Sequence, residues 1–504
     1  MRRHLHLIAL LISSHRCRPY FKVQRATGSQ LSPSLPCIRM TPGAPLELPE
    51  IASVVAGYCR RQDLAQCLRV CKPWYLSFLP CLWKDVTIKR ASETLSSTLW
   101  SHRQLIASIA ISKVFWLDHI FHYPNLRRLT LQRTSPEVAG QLIKSNTMLS
   151  YLELTGFDED DLTGFWETAA ADLLHLNNLV LTSTHLPLDQ SEALWQVCAR
   201  MESIVLDNCT LPITLPAKGI LPTDFPRLRR LTIELQRGVG IWGPLDCLLQ
   251  RSSQLETLTW VIAHYLQHQG TERIAEVAAQ GTWPKLERMA IHNDSDTSDE
   301  DIGLILSNMQ RAVRLSFADT LFGDLAFGAL RGHFGTITHL YISFCNDVTS
   351  AMVSDILCSC RLLTSLVVDC VLASDVMKGK PWICLSLKVL DICFLFSKEE
   401  LHLNQLLLER LSSLVQLEEL YLNNNGRIER IENTEPLDFC LHRGLSVLAS
   451  LSRLSRLKLE NKQPLGVKEA EWMVENWKRL ERIDVNQNSA AAKEIFRARG
   501  IRAV

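Results

Sequence analysis

The chain has 504 residues, 47% hydrophobic and 21% charged, with 54 Lys+Arg against 53 Asp+Glu, 22 Gly, 20 Pro and 16 Cys. This balance excludes a collagen, a disordered tail and a small disulfide scaffold, and a formal net charge of +1 leaves no electrostatic footprint for general nucleic-acid binding. The length allows several ordinary domains or one elongated repeat array, in which each unit packs only on its neighbours.

Residues 1–46 stand apart. No Asp or Glu precedes Glu47, whereas Arg2, Arg3, Arg16, Arg18, Lys22, Arg25 and Arg39 are all basic; without residues 1–39 the balance is 47 basic against 53 acidic side chains, or −6. A short apolar run, Leu5 to Ile12, follows the basic start. The profile is open to two readings, a targeting presequence or a disordered extension upstream of a start at Met40, and the second is preferred. A secreted or organellar repeat protein is the reading that would follow from the first.

Residues 47–84 read as three short helices. Pro49 suits the first turn and Glu50 the positive end of the dipole, and Ile51, Val54, Val55 and Tyr58 recur at the spacing of one helical face. Asp63 is a candidate N-cap for a second helix carrying Leu64, Cys67, Leu68 and Cys71. Pro73 opens a third, with Tyr75, Phe78, Leu79 and Leu82 in phase and Trp74 and Trp83 adding aromatic surface. A module of about forty residues is too small to enclose that much apolar surface alone. Either the rest of the chain covers it, as an N-terminal cap, or a partner does.

Leu48-Pro49-Glu50-Ile51, Tyr58 to Leu64, the run Leu68-Arg69-Val70-Cys71-Lys72-Pro73-Trp74-Tyr75 and Leu82-Trp83 follow one another in an order that resembles the F-box family. The resemblance implies docking onto the Skp adaptor, and through it the cullin scaffold, of a ubiquitin ligase. The docking residues it implies are Leu48, Pro49, Ile51, Val55, Leu64, Val70, Cys71, Trp74, Leu82 and Trp83. Pro73 departs from the usual polar residue of the third block.

Residues 85–105 are expected to be a linker or cap, and residues 106–504 repeat. The pattern L-x-x-L-x-L, with Ile, Val, Met or Ala substituting, begins at Ile106, Leu126, Leu149, Leu176, Met201, Leu228, Leu255, Leu286, Ala312, Ile337, Leu363, Leu387, Leu417, Leu454 and Leu480. One such hexad is a weak signal, but its recurrence at intervals clustering near 26 residues falls in the range of leucine-rich repeats. Each unit is expected to be a strand followed by a helix, hiding its apolar face only by stacking. The fold class is therefore α/β: a short three-helix module, then a curved leucine-rich-repeat solenoid with a parallel sheet on its concave face. The repeats resemble those that accompany an F-box, in which a Cys or Asn after the strand bonds the turn backbone; Cys209, Cys345, Asn425 and Asn488 hold that place.

Several features invite other readings. Asp294 to Asp301 has alternating oxygen side chains but lacks the Gly and Glu of a calcium loop, and reads as a solvated loop capping the next helix through Ser298 and Asp301. The insertion Gly426 to Pro436 and the stretch Leu211 to Pro226 are equally recognition loops or surface excursions. No CxxC pair or spaced His set appears, so no metal or cofactor is expected and the cysteines read as core thiols in a reducing compartment. No nucleophile motif surrounds His292 or His339.

With this register the strand positions that alternate with the leucines present Arg288, His292, His339, Tyr341, Ser343, Ser365, Asp369, Asp391, Glu419, Tyr421 and Asn423 to an unknown protein target, unless they are simply a solvated sheet face. The expected function is that of a non-catalytic, substrate-recognition subunit of an Skp-cullin-F-box (SCF) ubiquitin ligase, cytoplasmic and/or nuclear, with no nucleic-acid or membrane partner. The alternative is a leucine-rich-repeat scaffold that takes no part in ubiquitin transfer.

Overall fold

A computed structural model of the chain describes residues 49–89, 93–113, 122–158, 160–162, 164–186, 191–210, 224–235, 242–262, 270–292, 297–422, 434–459, 465–485 and 489–504. The leader 1–46, Leu48, Asn423, Asn425 and Asn488 lie outside these residues, as do most of both insertions. The chain divides into two compact units, one of residues 1–155 and 171–175, the other of 156–170 and 176–504.

The first unit opens with three helices, α1 (Pro49–Tyr58), α2 (Arg61–Cys67) and α3 (Lys72–Trp83). Helix α2 begins before Asp63: the N-cap is Arg60, and Asp63 sits in the first turn, where its carboxylate accepts the Arg60 backbone N–H at 3.2 Å. The expected N-cap at Asp63 is thus corrected: from the third helical position its carboxylate reaches back to the N–H of the cap residue, and the helix starts nearly one turn earlier. Four parallel strands follow, β1 (Asp85–Ile88), β2 (Ser108–Ser112), β3 (Arg128–Gln132) and β4 (Tyr151–Thr155), paired in chain order. Strand β1 falls in the segment expected to be a linker or cap and precedes the first hexad; its Val86 and Ile88 are buried.

The second unit carries β5 (Asn178–Thr182), β6 (Ser203–Asp207), β7 (Arg230–Leu235), β8 (Thr257–Ile262), β9 (Arg288–His292), β10 (Arg314–Ala318), β11 (His339–Ile342), β12 (Ser365–Leu372), β13 (Val389–Ser397), β14 (Glu419–Tyr421), β15 (Thr434–Pro436), β16 (Arg456–Lys458), β17 (Arg482–Asp484) and β18 (Arg502–Ala503). All pair in parallel with the next in the chain except β15, which runs antiparallel to the end of β13, so that β14 pairs with β16. A register shift between Val367 and Cys370 lets β12 and β13 run longer than their neighbours.

Among the described residues, fifteen of the eighteen strands coincide with the hexads, the others being β1, β15 and β18. The three apolar positions of each hexad are buried, as at Leu228, Leu231 and Ile233 or Leu363, Leu366 and Val368. Side chains at alternate positions of a strand point to one face, so the second and third leucines enter the core together and the residues between them look out. At about 1.5–3 kcal/mol for each fully buried aliphatic side chain, the stacked triads supply much of the driving force for the array.

After several strands the chain turns through a residue of positive φ, among them Arg133, Ser183, Asn208 and Asp319. The N–H of each donates to a carbonyl at or beside the end of the following strand, as from Asn208 to Glu234 at 2.7 Å. Cys209 then directs its thiol to the Leu181 carbonyl at 3.2 Å, and Cys345 to that of Phe317 at 3.0 Å, stitching each turn to the previous repeat. All cysteines among the described residues are free thiols. The helices form a second layer: in Asp299–Asn308, Ser298 caps the Asp301 N–H at 3.1 Å and Ile302, Ile305 and Leu306 are buried. Among the described residues, no helix is long and apolar enough to cross a membrane.

Candidate functional site

Two surfaces carry the residues singled out in the sequence. In the first unit, α1 to α3 close on a small core of Ala52, Ala56, Leu64, Cys67, Trp74 and Phe78, against which Val55, Cys59, Leu68, Cys71, Cys81 and Leu82 also pack. Leu64 and Trp74 therefore face inward, with Trp74 tilted against Phe78 at a ring separation of 5.5 Å. Trp83 is half-buried and stacks on His102 at 4.4 Å. Pro49 starts α1, and the Arg61 guanidinium donates to the Asp85 carbonyl, tying α2 to the start of β1.

Ile51 and Val70 lie outward. With them are apolar side chains that were not among the expected docking residues: Val54 is 62% exposed, Tyr58 59% and Leu76 61%, and Tyr75 is exposed as well. Ile51, Val54 and Tyr58 are spaced i, i+3, i+7 and share one face of α1, opposite Ala52 and Ala56. Helical periodicity identifies both faces of such a helix as apolar, and only the packing of the trio shows which one closes the core.

The second surface is the face of the sheet in the second unit. Here Arg288, His339, Tyr341 and Ser365 line a trough of about 370 Å³ that spans β8 to β12. Arg314 and Ser316 line it equally, although neither was singled out in the sequence; both follow from the same register, since Arg288, Arg314, His339 and Ser365 are successive cross-strand partners. His292 borders the trough, with its Nε2 2.6 Å from the Ser316 hydroxyl and its ring 6.1 Å from that of Tyr341. Burial lowers the His292 pKa, and burial together with the Arg314 charge lowers that of His339. Ser343 does not belong to this face. It is only 2% exposed, because the chain leaves the strand at Ile342 and turns through Phe344, which has positive φ.

The remaining candidates form a different patch. The Asp369 carboxylate accepts the Phe344 N–H at 2.5 Å, and Tyr421 donates to Glu419 at 2.6 Å. Glu419 also pairs with Arg456 at 2.9 Å. Asp391 lies between them on β13; burial pushes its carboxyl up to about 6, with Asp369 adding to the shift and Lys458 opposing it. Elsewhere, Asp438, Cys440 and His442 bring three metal-type donor atoms within 4.8 Å of one another, a grouping not anticipated from the sequence. There the Asp438 carboxylate already accepts the Cys440 N–H at 2.9 Å and lies 3.7 Å from Arg443.

The parallel strand-and-helix repeats, with buried triads at leucine-rich spacing and cysteine-bearing turns, define an α/β protein of leucine-rich-repeat type. No family model matches the chain, and no curated protein matches it. Among solved structures it is similar to the complex of Rad7 and Elc1 in yeast, with 15% identity and a TM-score of 0.46 over 90% of this chain and 92% of that one.

Proposed function

We propose that this chain is the target-recruiting, non-catalytic subunit of an Skp-cullin-F-box ubiquitin ligase. The helical trio docks on the Skp-type adaptor, and the repeat face holds a protein target. The observation that carries the reading is the exposed apolar face of the trio. Val54, Tyr58 and Leu76 project from helices whose own core is already closed by Leu64, Trp74 and Phe78. Amphipathic helices with such an unpartnered face dock readily into a hydrophobic groove. In this reading Leu64 and Trp74 shape the docking surface from behind, and Ile51, Val54, Val70 and Leu76 touch the partner.

The mechanism is proximity. Tethering a target raises its effective concentration beside the ubiquitin-conjugating enzyme, which carries the chemistry. The reading is tested by co-purification of the full chain with the Skp-type adaptor. Val54→Asp with Leu76→Asp places charge on the docking face while sparing the core, and is expected to abolish co-purification with an unchanged melting temperature. Retained binding by this variant, or failure of the unmodified chain to bind, contradicts the reading; the second result favours a repeat scaffold outside ubiquitin transfer.

A further inference from the structure

Asp438, Cys440 and His442 lie on one short segment after β15, and their carboxylate, thiol and ring-nitrogen donors come within 4.8 Å of one another. The backbone explains the grouping. Leu437 and Phe439 are buried, so Asp438 and Cys440, which alternate with them and are half-buried, share the opposite side of the segment. A single tight turn, Leu441–Arg443, then brings His442 round to them.

Buried Asn404 clamps this segment at both ends. Its side chain accepts the Asp438 N–H at 2.8 Å and donates to the carbonyls of Asp438 and Arg443 at 3.1 and 3.2 Å. From the helix Val467–Asn476, Glu469 accepts the Leu441 N–H at 3.2 Å, and Gly444 ends the turn with a φ of +106°. The three donors are thus carried on backbone that is already held, and a ligand binding there has little besides side chains to order. The same turn orients the carboxylate. Asp438 Oδ1 accepts the Cys440 N–H at 2.9 Å, which leaves Oδ2 for a ligand. Arg443 Nε is 3.7 Å from that oxygen, beyond hydrogen-bond range, on a half-exposed side chain. His442 is exposed, and its ring makes no hydrogen bond among the described residues.

We propose that Asp438, Cys440 and His442 bind a zinc ion through Asp438 Oδ2, the Cys440 thiolate and one His442 ring nitrogen, with water as the fourth ligand. The donor set selects the metal. Magnesium and calcium take oxygen ligands and copper(I) favours sulfur, whereas zinc accepts carboxylate, thiolate and imidazole together. Tetrahedral bonds of about 2.0–2.3 Å place the donors about 3.3–3.8 Å apart, so the side chains close by on the order of 1 Å. As the ion binds, the Cys440 thiol gives its proton to solvent, and thiolate and carboxylate together balance the divalent charge. Arg443, held to Asp438 only at long range, gives way to the doubly charged ion. Neither a CxxC pair nor a helical His spacing marks such a site, because its ligands alternate along one turn.

The test uses the full chain, stripped of metal with a chelator under reducing conditions and titrated with cobalt(II). One equivalent is expected to give a thiolate-to-metal charge-transfer band and tetrahedral d–d absorption, both removed by added zinc. Cys440→Ser is expected to lose the charge-transfer band. His442→Gln, at an exposed position that spares the fold, is expected to weaken binding at least about tenfold. Cys358→Ser, whose thiol bonds the Lys380 carbonyl instead, is expected to keep both signals. Without metal the four proteins should melt at the same temperature, and zinc should raise the melting temperature only of the unmodified chain and Cys358→Ser. No charge-transfer band in the unmodified chain, a band that persists in Cys440→Ser, or undiminished affinity in His442→Gln each overturns the assignment and leaves adventitious binding at other thiols as the explanation of any signal.

Discussion

The carboxylate of Asp299, at the start of one helix, caps the next one. It accepts the backbone N–H of Gly323 at 2.8 Å, and its two oxygens also accept those of Leu325 and Ala326 at 2.8 and 2.9 Å. A Cβ at position 323 would meet Asp299 Oδ2 at 2.9 Å, so the absence of a side chain there is a condition of the contact. Three orphan donors at a positive helix end are satisfied by one negative group.

Asp299→Ala removes all three bonds and is expected to destabilise the chain by about 2 kcal/mol, within the upper range measured for lost caps. Gly323→Ala displaces the same carboxylate and is expected to act in the same direction, and the two substitutions together should cost less than their sum because they break one contact. Urea denaturation of the two single variants and the double variant measures this; strict additivity contradicts it.

Arg410 is the converse device at a helix C-terminus. Its guanidinium donates to the carbonyls of Val376, Met377, Gly379 and Lys380 at 2.8 to 3.3 Å, where Ala373–Lys378 ends. Arg410→Ala is expected to cost on the order of 2 kcal/mol. Arg410→Lys should recover only a small part of that loss, because an ammonium is a compact charge and cannot fork across four acceptors. Melting temperatures of the two variants are the measurement; full recovery by lysine counts against the forked geometry.

Asp391 makes stability depend on pH in a defined direction. Folding holds its proton more tightly than the unfolded chain does, since its carboxyl is raised from 3.8 to about 6. The native state therefore binds more protons between these values, and this group's contribution to stability falls as pH rises from near 4 to near 6. Asp391→Asn is expected to be more stable than the unmodified chain at pH 7.5 by about 1–2 kcal/mol, a figure reduced for its partial exposure, and to converge with it near pH 4. Denaturation midpoints of both proteins across pH 4–7.5 decide it; a constant difference over that range excludes Asp391 as the titrating group.

Burial pushes the thiols of Cys198, Cys209, Cys360 and Cys384 up to about 12. Thiolate is the reactive form, so these four are expected to resist iodoacetamide in the folded chain at pH 8 and to be labelled fully in urea. Peptide mass spectrometry reads the labelling at each site, and rapid native labelling of any of them contradicts the packing described.

The repeats were legible in the sequence because every hexad meets the same demand, three apolar side chains entering one core at fixed spacing. Leu255, Leu258 and Trp260 fit as well as the all-leucine triad Leu149, Leu152 and Leu154. Strands β1 and β18 escaped that pattern, since Val86 and Ile88, or Arg502 and Ala503, are too short a signal, and β15 is formed by pairing with distant Phe396. For the exposed sheet face, alternation alone placed Arg288, His339, Tyr341 and Ser365 outward. Their convergence with Arg314 on one trough depends on cross-strand register, which a single repeat does not contain. The exposure of Ser343 was misjudged because the turn at Phe344 interrupts the alternation. In the helical trio, Leu64 and Val70 have the same apolar character, yet one is core and the other surface. That distinction arises from how three short helices cross, and periodicity carries no record of it.

The central claim is that the outward face of α1 and α3 meets an Skp-type adaptor. Hydrogen–deuterium exchange of the full chain, alone and with the adaptor, measures this most directly. The account predicts new protection in peptides covering residues 49–58 and 72–83, with the repeats of the second unit unchanged. Unaltered exchange in those two helices at saturating adaptor, or protection confined to the repeats, would contradict it.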